Sequence, residues 1–360
     1  MADKVYKILC INTGSTSTKI AIYNNEELEY DVTLDHDPEL CRKFPDALDQ
    51  IDMRKEAIYD FLKENNIKPE DLDAIAARGG PTTGIRYHSG AYKVDADMVA
   101  ASKSVRGSHP MNIGPVLAYE FVEKYGIPAW NYDVVGVDEA PPVAHMTAIP
   151  GADRPCSCHT LNSRAAARRA AEQIGKKFEE STIVVGHFGG GCSSSLFVNG
   201  RLMDTSSQDG GFSPTRAGRV GSNIIMDKIF KEGYGPAEMK KLLGSGAGFS
   251  GHLHTADLRE VEQMIADGNE YAALVYDAFI YEHIKDFGGL AAVVGGKVDA
   301  CVLTGGIAYS KKFVDAMTEK ISFIAPVVVI PGSMEMEALA KGIYRVLTGQ
   351  EQYRLFTDPF

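Results

Sequence analysis

The sequence lacks the features that mark membrane proteins and nucleic-acid-binding proteins. Its apolar runs, such as residues 290–295 and 324–330, are far shorter than the roughly 20 residues that cross a bilayer. With a net charge of −11, the chain has no general basic surface for nucleic acid or anionic lipid. Its first residues contain no apolar signal core with a cleavage site. We therefore expect a soluble, cytoplasmic protein with neither a membrane nor a nucleic-acid partner.

Cysteine pairs and the P-loop motif are also missing. The six cysteines are scattered, and the C-x-C-H group at 156–159 lacks both the usual C-x2-C spacing and a second pair of ligands. This pattern predicts reduced thiols and no zinc site. No segment matches the Walker pattern G-x4-G-K-[ST], which excludes a P-loop nucleotide site.

The chain is long enough for two domains. Its 360 residues exceed the length of an ordinary domain, and 44% hydrophobic with 24% charged residues is the profile of a globular protein. Apolar strand-like runs alternate with segments of helical periodicity. This alternation predicts an α/β fold, and two domains imply a cleft.

The two halves of the sequence begin alike. Residues 5–23 have the pattern of a strand, a polar turn and a second strand before an Asn-Asn turn. Residues 182–198 repeat this pattern before Asn199-Gly200, which is a strong hairpin signal. The repeat predicts an internal duplication of one α/β unit.

Four turns rich in glycine or hydroxyl residues are expected to follow apolar strands, and they are candidates for phosphate binding. Backbone N–H groups at such turns approach phosphate oxygens closely, because glycine has no Cβ. Four turns together favour a polyphosphate site more strongly than any one of them alone. They are the turns at 12–19, 189–195, 244–248 and 304–306.

Several of these segments resemble the acetate and butyrate kinase family. The turn I-N-T-G-S-T-S-T-K at 11–19 is similar to the family's N-terminal signature I-N-x-G-S-[ST]-S-[LT]-K, which is long and specific. Other segments follow in the family's order across nearly the whole chain, and the length and closing pieces look like the butyrate kinase branch. These segments are A-R-G-G at 77–80, H-P-M-N-I-G at 109–114, V-D-E at 137–139, H-F-G-G-G at 187–191, F-S-P-T-R-A-G at 212–218, T-A-D-L-R at 255–259, L-T-G-G-I-A-Y-S at 303–310 and the stretch 323–340.

The resemblance implies an actin-like ATPase fold, built from two duplicated ribonuclease-H-like domains with the nucleotide in the cleft between them. It also implies that the C-terminal helix returns to the first domain. We therefore expect a first, carboxylate-side domain at 1–150 with 335–360, and a second, nucleotide-binding domain at 151–334. ATP or ADP and Mg²⁺ are the implied cofactors, and a homo-oligomer made of dimers is the implied assembly.

The same resemblance implies roles for individual residues. Asn12 and Glu335 would arrange Mg²⁺ through water, and Arg78 would bind the substrate carboxylate. Arg216 is the expected second arginine of the site, with Arg219 as an alternative. The other expected residues are His159 and Asp133 for catalysis, His109 and Asn112 for the substrate, and Ser15, Thr16, Ser17, Thr18, Lys19, His187, Gly189, Gly190, Gly191, Asp257, Arg259, Gly305 and Gly306 for the nucleotide.

Phosphorylation of a carboxylate suits these residue types. A carboxylate is already ionised at pH 7, so it needs no general base before it attacks phosphorus. The difficulty is the repulsion between the acid and the triphosphate, which Mg²⁺, arginines and a histidine donor can offset. We therefore expect direct in-line transfer.

Three segments differ from the family pattern, so the sequence does not decide which acid is the substrate. They are C-S-S-S-L at 192–196, P-T-T at 81–83 and C-S-C at 156–158. Propionate, isobutyrate and acetate are alternatives to butyrate. An actin-like ATPase that drives partner binding is another possibility, although it has no use for a pair of carboxylate-binding arginines. A sugar kinase would need an aspartate base, and normally Asp in place of Asn12.

Overall fold

The computed structural model describes residues 4–80, 86–104, 110–206 and 209–358. The chain forms two compact units. The first contains Met1–Glu139 and Met334–Phe360, and the second contains Ala140–Ser333. The change of unit follows Glu139, whereas the sequence led us to expect it at residue 150.

The strands of the described chain form one sheet in each unit. The first sheet contains β1 (Lys7–Thr13), β2 (Ser17–Asn24), β3 (Glu27–Asp35), β4 (Ala74–Ala77), β5 (Ala91–Lys93) and β6 (Ala129–Tyr132). The second sheet contains β7 (Thr182–Phe188), β8 (Cys192–Val198), β9 (Arg201–Ser206), β10 (Ala300–Gly305) and β11 (Val327–Pro331).

Helices connect these strands, as expected for an α/β chain. The α-helices are α1 (Pro38–Lys43), α2 (Ile51–Glu64), α3 (Ala96–Ser104), α4 (Gly114–Tyr125), α5 (Pro142–His145), α6 (Thr160–Gln173), α7 (Ser222–Phe230), α8 (Pro236–Ser245), α9 (Gly248–Leu253), α10 (Leu258–Ala266), α11 (Glu270–Val293), α12 (Lys311–Ile321) and α13 (Glu335–Leu347). Short 3₁₀ helices lie at Ala47–Gln50, Pro69–Asp71, Pro110–Ile113, Phe178–Glu180 and Gly306–Tyr309. No helix in the described part of the chain is long and apolar enough to cross a membrane.

The two sheets share one topology, which confirms the predicted duplication. The first has the strand order β3-β2-β1-β4-β6-β5, and the second has the order β11-β10-β7-β8-β9. In both, an antiparallel three-stranded meander continues into two parallel strands, and β5 extends the first sheet by an antiparallel edge strand. The hairpin at Asn199-Gly200 has positive φ angles at both residues, as its sequence predicts.

Each sheet is stabilised by an apolar core of its own. In the first unit, Leu9, Ile11 and Ile75 are fully buried in one cluster with residues of α2 and α4. In the second unit, Val184 and Leu303 are buried with residues of α10, α11 and α12. Burial of these strands on their apolar faces fixes the register, because a slip by one residue would turn every side chain to the opposite face.

The parallel strands bring the predicted motifs to the carboxyl ends of the sheets. In the first unit, Asn12, Arg78 and Asp133 lie at or just after the ends of β1, β4 and β6. In the second unit, the glycine turns at 189–191 and 305–306 lie at the ends of β7 and β10. Ligands of α/β sheets bind at these ends.

One predicted phosphate turn has a different setting. Residues 244–248 connect α8 to α9 and do not follow a strand. Residues 246–251 match G-x-G-x-x-G in letters, but the dinucleotide motif requires that a strand precede the glycines. The structure thus corrects the expectation that all four turns follow strands.

Candidate active site

In the first unit, three predicted residues form a closed hydrogen-bonded group. Asn12 Nδ2 donates to Glu335 Oε2 at 2.9 Å, and Arg78 Nη1 donates to Asn12 Oδ1 at 3.2 Å. The Arg78 Nη2 atom lies 2.9 Å from Glu335 Oε1. β1 and β4 are parallel neighbours, and α13 begins with Glu335, so the fold itself brings the three side chains together.

The donor atoms of this group fit a magnesium site. Mg²⁺ prefers oxygen ligands, keeps several waters and is usually held by one or two carboxylates together with substrate phosphates. Asn12 supplies an amide oxygen and Glu335 a carboxylate, and both side chains are largely buried. Their mutual hydrogen bonds fix the direction of the remaining lone pairs.

The segment after Arg78 is packed tightly against the start of α4. A Cβ on Gly114 would lie 2.2 Å from the carbonyl oxygen of Arg78, so only glycine fits there. Asn112, two residues before Gly114, is 1% exposed, and its side-chain amide atoms have no hydrogen-bond partner in the described chain. Such a group is ready to bind a ligand or a water. The predicted His109 and the departure at 81–83 lie outside the described residues.

Asp133 is buried and braces a loop. Its backbone has a φ of 47°, its N–H donates to the carbonyl of Gly90 at 2.9 Å, and its Oδ1 accepts from the N–H of Gly90 at 2.7 Å. This reciprocal pair joins the end of β6 to the segment before β5.

The turn between β1 and β2 presents only part of its side chains outward. Ser15 and Thr16 are exposed, whereas Thr18 is fully buried. The Thr18 hydroxyl accepts from Arg54 Nη1 at 3.0 Å and lies 2.8 Å from His36 Nε2. Of the five residues predicted to bind the nucleotide here, Thr18 therefore uses its hydroxyl inside the protein. The other two, Ser17 and Lys19, are half-buried at the start of β2.

In the second unit, the glycine turn at 189–191 is held by hydroxyl groups. Ser213 Oγ and Thr215 Oγ1 both donate to the carbonyl of Gly190, at 3.0 and 3.1 Å. A Cβ on Gly191 would lie 3.0 Å from Arg216 Nη1, so the guanidinium of Arg216 stands directly against this turn. The turn is therefore held by two side-chain hydrogen bonds and has a cation beside it.

The second glycine turn lies next to the first. β10 runs parallel to β7, and Gly305 has a φ of 93° at its end. A Cβ on Gly305 would lie 2.2 Å from the carbonyl oxygen of Phe188, so the close approach of the two strand ends requires glycine. Gly306 then begins a 3₁₀ helix and is exposed.

A cavity of about 870 Å³ opens beside these turns. Its volume is that of a site for a nucleotide-sized ligand. Asp257 caps α10 and is ion-paired with Arg259. Hydrogen bonds from Arg259 lower the pKa of Asp257 to about 2, so this carboxylate is charged at neutral pH. The cavity is lined by Gly189, Gly190, Pro214, Ala256, Asp257, Leu258, Arg259, Glu262, Gly306, Ile307, Tyr309 and Ser310.

The two predicted histidines of this unit stack on each other. The rings of His159 and His187 lie 4.1 Å apart between centroids, at an angle of 16°. Ser193 Oγ accepts a hydrogen bond from the His159 backbone N–H at 3.3 Å. It also lies 2.8 Å from His159 Nδ1, so its hydroxyl can donate a hydrogen bond to Nδ1. Asn162 Nδ2 donates to His187 Nδ1 at 2.8 Å. The Asn162 contact leaves Nε2 as the donor nitrogen of His187, and the Ser193 contact allows the same tautomer for His159.

Comparisons with known proteins agree with this geometry. Residues 154–325 match the Acetokinase family. A protein named probable butyrate kinase 2, from Caldanaerobacter subterraneus subsp. tengcongensis, is 39% identical over 355 residues, which cover 98% of this chain and all of that protein. The chain belongs to the acetokinase family.

Solved structures of other acetokinases and of related proteins have the same fold. The acetate kinase of Porphyromonas gingivalis superposes with a TM-score of 0.76 at 21% identity, over 95% of this chain and all of that one. A propionate kinase from Francisella tularensis subsp. tularensis gives a TM-score of 0.73 at 20% identity, over 94% of this chain and 98% of that one. The predicted α/β class of actin-like ATPase type is confirmed.

In this acetokinase, the structure distinguishes Arg219 from Arg216. Arg219 is ion-paired with Glu282 at 2.6 Å and with the buried Asp286 at 2.7 Å. Asp286 also accepts from the N–H of Gly211 at 2.8 Å. Arg219 thus fixes the loop to α11. No carboxylate in the described chain pairs with the guanidinium of Arg216, which lies at the glycine turn.

A buried histidine completes the network under that loop. His283 Nε2 donates to the carbonyl of Phe212 at 3.0 Å, and its Nδ1 lies 3.6 Å from Asp286 Oδ2. Burial lowers the pKa of His283, but interactions with Asp286 and Cys192 outweigh burial and raise its pKa to about 9. Burial raises the pKa of Asp286, but its hydrogen bonds lower it overall. His283 is therefore an imidazolium at neutral pH.

Several residues that hold the site were missed by the sequence reading. They are Ser193 and Asn162, which orient the two histidines, and Arg54, which lies under the first turn. The one available signal was the C-S-S-S-L departure at 192–196, which contains Ser193. From the sequence alone, that departure bears only on the choice of substrate.

Proposed function

We propose that this acetokinase is a carboxylate kinase, which transfers a phosphoryl group reversibly between ATP and butyrate or a related short or branched-chain acid. The observation that carries the proposal is the 39% identity with a probable butyrate kinase 2 across nearly the whole of both chains. The site supports it, since its polar groups are of the kinds that stabilise negative charge.

The reaction is a displacement at the terminal phosphorus. One oxygen of the ionised acid forms a bond to the γ-phosphorus of ATP while the bond from phosphorus to the bridging oxygen of ADP breaks. The products are the acyl phosphate and ADP, and no proton is transferred in this step. A base is not needed, because the acid has lost its proton at pH 7.

Residues of the first unit suit the acid. Arg78 is a fixed guanidinium whose position is determined by Asn12 and Glu335, and such a fork matches a carboxylate. Asn112 offers a buried amide for a further hydrogen bond. Asn12 and Glu335 would hold Mg²⁺, which supplies charge neutralisation at the phosphates when bound.

Residues of the second unit suit the nucleotide. The glycine turns at 189–191 and 305–306 would bind the phosphates through backbone N–H groups, and the cavity lined by Asp257 and Tyr309 would take the nucleoside. Arg216 and the Nε2–H groups of the two stacked histidines would stabilise the charge on the transferring phosphoryl group.

We further propose a cytoplasmic location and assembly into homo-oligomers. All six cysteines are free thiols, five of them buried, and a reducing compartment keeps cysteines in that state. Size-exclusion chromatography with light scattering would measure the oligomeric state.

A hydroxamate assay tests the function. The full-length chain is incubated with ATP, Mg²⁺, hydroxylamine and one acid from a panel of straight and branched C2 to C6 acids. We expect acid-dependent acyl hydroxamate, with the highest kcat/KM for a four-carbon or branched acid. R78Q should lose about 10²–10³-fold in kcat/KM. The control R42Q, which alters an exposed arginine of α1, should keep the wild-type rate.

The same assay addresses the second candidate function, an actin-like ATPase. ATP hydrolysis that no acid stimulates, with no hydroxamate from any acid of the panel, would favour the ATPase and contradict the kinase.

A further inference from the structure

Arg54 is a fully buried arginine that lies beneath the turn between β1 and β2. It projects from the first turn of α2, and its side chain is 0% exposed. No carboxylate lies within ion-pair distance of it in the described chain. A buried charge without an anionic partner is costly, so its hydrogen bonds must be unusually complete.

All of its nitrogens donate to neutral acceptors. Nη1 donates to the carbonyl of Ser17 at 2.7 Å, and Nη2 donates to the carbonyls of Gly14 and Ser15 at 2.8 and 3.2 Å. Gln50 Oε1 accepts from Nε and Nη2 at 3.2 and 2.8 Å. One guanidinium therefore binds three carbonyl groups of a single turn.

This arrangement fixes the direction of the peptide groups in the turn. The carbonyl of one residue is antiparallel to the N–H of the next, because the peptide is planar and trans. The carbonyls of Gly14 and Ser15 point to Arg54, so the N–H groups of Ser15 and Thr16 point away from it. Ser15 and Thr16 are exposed. The turn thus presents outward-directed amides above a buried positive charge.

The surrounding contacts keep the guanidinium in place. The Thr18 hydroxyl accepts a hydrogen bond from Nη1 of Arg54 at 3.0 Å. It can donate a hydrogen bond to His36 Nε2, which lies at 2.8 Å. His36 in turn donates its backbone N–H to the carbonyl of Thr16 at 2.8 Å. Both ends of the turn are thereby tied to the same cluster.

We propose that Arg54 is a positioning residue for phosphoryl transfer, which holds the amides of Ser15 and Thr16 in the direction of the transferred phosphate and adds a fixed positive charge behind them. This inference rests on the proposed function. Because the charge on the phosphoryl oxygens is rearranged during transfer, the loss of this arrangement should lower kcat more than it raises KM.

The test compares two arginine-to-lysine variants of the same unit. R54K keeps a charge but has three N–H donors in place of five and no planar fork, so it cannot reproduce the hydrogen bonds to the three carbonyls, Thr18 and Gln50. R345K is the matched control, since Arg345 is also largely buried and donates to Glu351 and the Tyr132 hydroxyl, outside the site. We expect R54K to lose about 10²-fold in kcat with KM values within about threefold of wild type, and R345K to keep its kcat. Rates are measured well below both melting temperatures.

A second variant covers the case in which R54K does not fold. Q50M removes the acceptor that fixes Nε and Nη2 while it leaves the arginine in place, and it should lower kcat about tenfold. Equal kcat values for R54K and R345K, or a wild-type kcat for Q50M when R54K is unfolded, would overturn the role of Arg54 alone. A wild-type chain without acid-dependent activity would overturn the proposed function, and with it this role.

Discussion

Exchange of Arg219 should reduce stability, whereas exchange of Arg216 should reduce activity. The two arginines lie three residues apart in one loop, and the sequence could not decide between them. In the structure, Arg219 is ion-paired with Asp286, whose side chain is 0% exposed, whereas Arg216 lies against Gly191. The variants R219Q and R216Q therefore remove different interactions.

The magnitude for R219Q follows from what Asp286 would lose. Removal of one partner from a fully buried ion pair costs about 3–5 kcal/mol. Arg219 is 41% exposed, and Asp286 keeps the Gly211 N–H and His283, so the cost should be smaller. We expect about 2 kcal/mol, which lowers the melting temperature of a unit of this size by about 4–8 °C. For R216Q we expect a change of less than about 2 °C, because substitutions of exposed residues rarely change the stability by more than about 0.5 kcal/mol.

Activity should change in the opposite order. R216Q removes a cation at the phosphate turn and should lower kcat by about 10²–10³-fold. R219Q leaves that cation in place and should keep kcat within about tenfold at 25 °C. Differential scanning calorimetry and the hydroxamate assay measure the two effects on the same preparations.

One result would refute this reasoning. If R216Q kept kcat within threefold of wild type while R219Q retained its melting temperature and lost activity, Arg219 would be the arginine of the site. The ion pair with Asp286 would then not describe its state during the reaction.

Three further outcomes are expected. Because the pKa of His283 is raised above its unfolded value, its stabilising effect should be complete below about pH 6.5 and lost as the pH rises through about 9, and urea unfolding of H283Q across this range should show a flatter pH dependence than wild type. E335Q should raise the Mg²⁺ concentration for half-maximal activity at least tenfold, while a surface variant such as E319Q leaves it unchanged. S193A should lower kcat about tenfold with little change in melting temperature, since it frees the ring of His159, and S193T should recover part of the loss.

The sequence predicted the elements that carry the site better than the contacts within it. Three of the four predicted turns lie at the ends of β1, β7 and β10, because alternation and glycine turns are local properties of the sequence. The duplicated sheet order was predicted from the strand–turn–strand pattern that the sequence repeats at 5–23 and 182–198. Parallel pairing then places residues such as Asn12 and Arg78 side by side without further information.

The contacts that the sequence could not supply are those between distant segments. Arg54 is 40 residues from Gly14 in the sequence. A single arginine in a helix is expected to be solvent-exposed, and only the packing of α2 against the turn shows that it is buried. Ser193 is 34 residues from His159, and its partner depends on the register of β8. Thr18 matches the sequence of the phosphate motif. Because side chains alternate between the two faces of a strand, however, its hydroxyl points into the protein.

The distribution of charge explains why a strongly acidic chain can bind anions. Its net charge of −11 opposes the approach of an acid and a triphosphate, so positive charge has to be fixed where it is needed. The charge of Arg78 is neutralised by Glu335, and that of Arg219 by Glu282 and Asp286. These arginines therefore position groups more than they add positive electrostatic potential.

Of the arginines beside the turns predicted to bind phosphate, two have no carboxylate partner in the described chain, namely Arg54 beneath the turn at 14–18 and Arg216 beside the turn at 189–191. Each leaves a positive charge uncompensated at a turn expected to face phosphate. Arg54 is also shielded from salt, because counterions cannot reach a side chain that is fully buried. The uncompensated arginines, rather than the ion-paired ones, are therefore where the electrostatic part of phosphoryl transfer should be located.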